Sequence, residues 1–155
     1  MKTLTGTEAY GPAAELLREY MAEVARRVDG FDGGGADPDV EARDGTMIVV
    51  CGDDGTPLGC LAVREIAPGI GEIKRMYVRP TARGAGLGGR LIEVAEQAAE
   101  RLGCTVLRLD TAGDRLPEAY RLYLRHGFVE IPRYNDNPSA THWLEKRLMV
   151  AGNRS

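Results

Sequence analysis

Arg83-Gly84-Ala85-Gly86-Leu87-Gly88-Gly89 is a glycine-rich turn set between two regular stretches. Ahead of it, Glu72-Ile73-Lys74-Arg75-Met76-Tyr77-Val78 reads as a strand. Behind it, residues 87–102 read as a helix, with an apolar stripe at Leu87, Leu91, Val94, Ala95, Ala98 and Leu102. A turn at a helix start presents backbone N–H groups that have no partner inside the helix, and the helix dipole adds partial positive charge at the same point. Glycine lets an anion come close to that backbone. The stretch therefore predicts a phosphate-bearing ligand.

Working outward, Gly103 stops the helix and residues 104–110 read as the next strand. Strand, helix and strand then form a βαβ unit, which requires the two strands to be parallel. Upstream, residues 46–51 and 58–66 flank the turn Asp53-Asp54-Gly55-Thr56, a hairpin signal, and Pro68-Gly69 turns the chain into residues 72–78. Three antiparallel strands in sequence order are expected there, with residues 1–4 as a short first strand. Residues 12–28 read as an amphipathic helix through Leu16, Leu17, Tyr20, Met21, Val24 and Val28. The run Gly30-Phe31-Asp32-Gly33-Gly34-Gly35 reads as a loop, either a solvated linker or the border of a site. Downstream, residues 116–126 read as a helix ended by Gly127, residues 128–131 as a short strand, 132–140 as a polar loop, and 142–150 as the last strand. The expected fold is α/β. Antiparallel N-terminal strands precede a βαβ unit, and helices flank a central mixed sheet in a single domain over residues 1–155.

The 155 residues are 43% apolar and 28% charged, with a net charge of −3. These values suit a soluble globular protein and argue against nucleic acid as a partner. A mildly acidic surface tolerates or attracts a cationic small substrate. Cys51, Cys60 and Cys104 lie in or beside apolar runs and read as small buried hydrophobes. They have no metal-like spacing, and His126 and His142 lack partners at ligand spacing, so no metal site is expected. No run approaches the ~20 apolar residues of a membrane-spanning helix, and the N-terminus has no apolar leader. The expected localisation is cytoplasmic, with no membrane partner.

Three ligand classes compete for the glycine turn. Gly84-x-Gly86-x-x-Gly89 satisfies a dinucleotide fingerprint, and Asp110 stands at the end of the next strand where a ribose-binding acid belongs. Against it, Arg79-Pro80-Thr81-Ala82-Arg83 separates strand from glycines, and Glu72, Lys74 and Arg75 interrupt what should be an apolar parallel strand. A Walker A loop ends in Gly-Lys-Ser/Thr, whereas this one continues Gly89-Arg90-Leu91. The longer pattern Arg83-x-x-Gly86-x-Gly88, after Met76-Tyr77-Val78-Arg79-Pro80, resembles motif A of the GNAT superfamily of acyl-CoA-dependent N-acyltransferases. Ala119-x-x-Leu122-Tyr123-x-x-x-Gly127-Phe128 resembles its motif B. The likeness covers about residues 46–148 firmly and the N-terminal helix loosely. One position departs from it: Leu116 stands where members often carry an asparagine, a role that Thr111 or Asp114 would have to fill.

The resemblance implies an acetyl-CoA cofactor and a small-molecule primary amine as acceptor, such as an amino acid or related metabolite. Coenzyme A diphosphate would rest on Arg83, Gly84, Ala85, Gly86, Leu87, Gly88 and Gly89. Its pantetheine arm would pair with the backbone of Met76, Tyr77 and Val78. Tyr123 stands where similar enzymes keep a general acid, and it equally fits a core stripe with Leu116, Tyr120 and Leu124. Glu72 occupies a position where similar enzymes place a base that works through water, and it equally suits a surface ion pair. Strand alternation would put Glu72, Lys74 and Met76 on one face. Arg75, Tyr134, Asp136 and Asn137 are candidate acceptor contacts, with Arg133 beside them, while Trp143 reads as core. The same motifs also admit a non-catalytic acyl-CoA sensor or a protein-acetylating enzyme, and such a domain can form a homodimer.

Overall fold

The structure is a computed structural model that describes residues 1–27, 45–113 and 116–149. The glycine loop at 30–35, Asp114, and the predicted ends at Val28 and Val150 lie outside the described residues. The chain runs β1 (Lys2–Thr5), a 3-10 turn (Gly6–Ala9), α1 (Tyr10–Arg27), β2 (Gly45–Cys51), β3 (Pro57–Ala67) and β4 (Ile70–Val78). A second 3-10 turn (Pro80–Ala82) leads to α2 (Leu87–Arg101), then β5 (Val106–Thr111), α3 (Pro117–Arg125), β6 (Val129–Ile131) and β7 (His142–Arg147). Gly103, at φ 85°, ends α2 in the left-handed region that favours glycine. Among the described residues, no helix is long and apolar enough to cross a membrane.

The seven strands form one sheet in the order β1-β2-β3-β4-β5-β7-β6. β4 and β5 are parallel and the other neighbours antiparallel, so the mixed α/β sheet anticipated from the sequence is present. Strand alternation sorts the apolar residues between two faces. Ile48, Val50, Leu61, Val63 and Ile73 pack under α2 with Leu91, Ile92 and Ala95. Met47, Val49, Cys60, Ala62 and Tyr77 face Ala13, Leu16 and Leu17 of α1. The three cysteines are buried and unbridged. Burial pushes the Cys60 thiol up to about 12, so it stays protonated and packs as an apolar group.

Pairing between β3 and β4 contains a bulge: Cys60 faces Tyr77, while Ala62 faces Lys74. Three steps along β4 thus match two along β3, and Arg75 absorbs the extra residue at φ 57°, rare for a residue with a side chain. This corrects the simple alternation. Glu72 and Lys74 lie on the α1 face, opposite Arg64 and Ala62, whereas Met76 packs with Ile73 and Val78 on the α2 face. Two other readings also change. Leu124 is exposed rather than part of the α3 stripe. Trp143 is only partly buried, with the Arg133 guanidinium 5.0 Å from its ring centre and its indole N–H donating to Asn135 Oδ1 at 2.9 Å.

An acidic row on α1, Glu15, Glu19 and Glu23, recurs every fourth residue and so faces one way. Arg79 meets Glu15 and Glu19 at 2.7 Å each and also donates to the Pro57 carbonyl at 2.8 Å. The hydrogen bonds from Arg79 hold the Glu19 carboxyl below its ordinary 4.5, and the Arg79 charge and the Tyr77 hydroxyl act in the same direction. A depressed carboxyl contributes stability above its unfolded pKa and loses it as pH falls through the folded one. Thermal melts should therefore show Arg79→Met less stable than wild type near neutral pH, with the gap closing as pH drops below 4.5. A gap that stays constant into acid would refute the tie.

Candidate active site

The site begins where the sheet opens. β4 and β5 pair at only three positions, Ile70 with Val106, Gly71 with Leu107 and Glu72 with Arg108. Beyond them β5 pairs only with β7, out to Thr111 and His142. Past Glu72, β4 borders the opening on its β5 side, with the Val78 carbonyl taken up by Arg83. Two cavities occupy it. One, of about 460 Å³, is lined by Lys74 and Asp110 from the α1 face and by Met76 and Tyr123 from the other. The second, of about 380 Å³, runs along Met76, Tyr77 and Val78 to the glycine turn. Tyr20, Val24, Met76, Leu116, Ala119 and Tyr123 border both. Because the sheet is split here, groups on opposite faces share one space.

At the far end of the second cavity, Gly84 and Gly86 stand at φ 86° and 80°, with open space where a side chain would begin. Gly86 caps α2, and the Arg90 N–H to Gly86 carbonyl bond at 3.2 Å lies at the start of the helix ladder. The N–H groups just ahead of Arg90 precede that ladder, and Gly84, Gly86, Gly88 and Gly89 all line the cavity. Gly88 and Gly89 have a different reason to lack side chains. A Cβ would come within 2.7 Å of Leu122 and 2.9 Å of His126, because α3 lies directly on this turn. The Arg83 guanidinium crosses the groove instead of pointing away. It donates to the Val78 carbonyl at 2.9 Å and pairs with both Glu23 oxygens at 2.9 Å.

Tyr123 is buried where the cavities meet, its hydroxyl 3.7 Å from the Met76 sulfur. Burial pushes its pKa above the ordinary tyrosine range, with Tyr20 and the Asp110 charge adding to the shift. The phenol therefore keeps its proton and remains a donor. Glu72 is 2% exposed and does not line the first cavity. Arg64 donates to its Oε1 through Nε at 3.2 Å and Nη2 at 3.1 Å, and the Tyr134 hydroxyl donates to Oε2 at 2.6 Å.

The carboxylate that does face the cavity is Asp110, which receives Lys74 Nζ at 3.1 Å, Asn135 Nδ2 at 2.5 Å and Asn137 Nδ2 at 3.0 Å. Among the predicted acceptor contacts, Arg75 and Asn137 line this cavity, Tyr134 turns to Glu72, and Asp136 is exposed away from it. Thr111 borders the first cavity and not the second, where Leu116 stands. Sequence reading missed Arg64, Lys74 and Asp110 as cavity groups. The available signal was register: Arg64 on β3 and Lys74 on β4 turn toward the same face as the Asp110 that ends the next strand.

The sequence profile of the Acetyltransferase (GNAT) family matches residues 13–128. The chain belongs to the GNAT acetyltransferase family. It is 44% identical over 95 residues to "Uncharacterized N-acetyltransferase C1271.07c" of Schizosaccharomyces pombe, a match covering 61% of this chain and 58% of that protein. It thus spans less than two thirds of that relative's length. The "Aminoalkylphosphonate N-acetyltransferase" of Salmonella typhimurium is 32% identical over 126 residues, covering 78% of this chain and 77% of that protein. In fold, the chain resembles the crystal structure of the putative acyl-CoA N-acyltransferase from Klebsiella pneumoniae. That similarity has a TM-score of 0.74 at 24% identity and covers 96% of this chain and 97% of the other. GNAT enzymes use acyl-CoA, and the glycine turn and the stretch of β4 beyond its pairing with β5 are groups that would receive it.

Gly86→Ala tests the cradle, since the left-handed backbone at φ 80° disfavours any side chain. The penalty is about 1–2 kcal/mol, so calorimetry should show coenzyme A binding weakened about tenfold if the turn must keep this shape to bind. Unchanged affinity would refute the cradle.

Proposed function

We propose that the chain is an N-acetyltransferase that moves acetyl from acetyl-CoA to the primary amine of a small molecule, such as an amino acid or related metabolite. The observation that carries this is the junction at Tyr123 and Met76. A long groove from the glycine turn ends there, and a separate polar cavity begins there. A donor thioester and an acceptor amine can approach that point from opposite sides, which supplies the proximity a two-substrate transfer needs.

Acetyl-CoA supplies the thioester whose acetyl carbon the amine nitrogen attacks, with loss of the carbon–sulfur bond. The backbone N–H of Met76 or Tyr77 polarises the carbonyl, as an oxyanion donor does. Tyr123 gives its proton to the departing sulfur and thereafter regains one. The attacking nitrogen must shed a proton, because a lysine-like amine has a pKa near 10.4 and is mostly protonated at neutral pH. We assign that proton to Asp110 through water, since it is the carboxylate facing the cavity. Glu72, enclosed by Arg64 and Tyr134, acts as a positioning residue for both.

Tyr123→Phe should lower thiol release about a hundredfold while coenzyme A binding is retained. Turnover equal to wild type would remove the acid role, and a wild type that binds coenzyme A without turning over any amine would indicate a sensor. The pH profile gives a second check. Rate should rise with pH as the amine loses its proton. It should not fall through the ordinary tyrosine range near 10, because burial holds the Tyr123 proton beyond it. A descending limb at or below pH 10 that Tyr123→Phe abolishes would contradict this.

A further inference from the structure

Among the described residues, the charged groups on the wall of the acceptor cavity are Arg64, Lys74, Arg75 and Asp110, and Glu72 lies directly behind Arg64 and 3.7 Å from Lys74, so three cations stand against two carboxylates. The chain as a whole is acidic, with a net charge of −3, so the cavity has the opposite sign from the molecule. Cavities with low-dielectric walls focus such local charge on whatever enters them. A second cationic group on the acceptor would be repelled there, and an acidic one drawn in.

Arg64 has the geometry to receive that acid. A guanidinium offers one fork along Nε and one terminal nitrogen, and a second across its two terminal nitrogens. Arg64 spends the first on Glu72 Oε1, at 3.2 and 3.1 Å. The second fork is left for the cavity, and the Arg64 side chain is 40% exposed. Its support is rigid. Arg64 and Glu72 are direct partners across β3 and β4, and the Tyr134 hydroxyl holds the other Glu72 oxygen at 2.6 Å. Planar, two-pronged recognition by arginine suits carboxylate, phosphonate and other oxyacid groups.

Resting on the transferase reading above, we propose that the acceptor is an amine that also carries an acid group, and that Arg64 is the residue that selects it. Lys74 and Arg75 supply the surrounding positive potential, and the amine end of the molecule lies toward Asp110 and the Met76–Tyr123 junction.

Matched pairs of amines test this with the wild-type enzyme at saturating acetyl-CoA, following coenzyme A release: β-alanine against propylamine, and 2-aminoethylphosphonate against ethylamine, with 1,4-diaminobutane as a dication. In at least one pair the acid-bearing member should have a kcat/KM about 10- to 100-fold above its plain partner, and the diamine should be the poorest acceptor. Propionate, which has the acid and lacks the amine, should inhibit competitively against the acceptor and not against acetyl-CoA. Arg64→Lys keeps a cation beside buried Glu72 and removes the fork. It should bring the ratio within each pair toward one, mainly through KM. Plain amines or the diamine used as well as the acid-bearing ones would overturn the assignment of the acceptor and leave the transferase standing. Retained preference in folded Arg64→Lys would overturn the role of Arg64. Consumption of no amine at all would defeat the transferase reading and this one together.

Discussion

The parting of β4 from β5 after Glu72 and Arg108 is the constraint on which the rest of the structure depends. A continuous ladder would satisfy both strand edges and leave no backbone for a ligand. Here β5 continues along β7 instead, and the bulge at Arg75 shifts the register of β4 against β3. Bulges raise local twist and re-aim side chains. The result is an opening through the sheet, lined by residues that regular alternation would have kept on separate faces.

Much of the architecture was legible in the sequence because each element carries its own punctuation. Gly103 and Gly127 stop helices, Pro68-Gly69 turns a hairpin, and the stripe from Leu87 to Leu102 has helical period. Such signals are local, and local signals survive in a single chain. The glycine turn was legible as a turn opening a helix for the same reason, although of its glycines Gly84 and Gly86 are the ones that owe their identity to backbone conformation. Gly88 and Gly89 answer to Leu122 of α3 and to His126 just past its end, a contact that spacing along the chain does not reveal.

The cavity lined by Lys74 and Asp110, proposed for the acceptor, was far less legible. Its chemistry depends on which face a strand residue takes, and one inserted residue at Arg75 reverses that for all that follows. Glu72 reads from the sequence as a base or a surface ion pair, but it is buried, and its enclosure by Arg64 and Tyr134 is set by partners 8 and 62 residues away. Asp110 drew notice only at a strand end. Its bonds to Asn135 and Asn137 come from a loop whose polarity looked like solvation.

The contact between α3 and the first turn of α2 couples two parts of the molecule that chemistry would treat as separate. Leu122 presses on Gly88, and the next residue along α3 is Tyr123. The glycine turn and the helix bearing the phenol are thus in direct contact. On the proposed reading, a displacement of the turn that would seat the diphosphate is passed through Leu122 to the helix that carries the phenol.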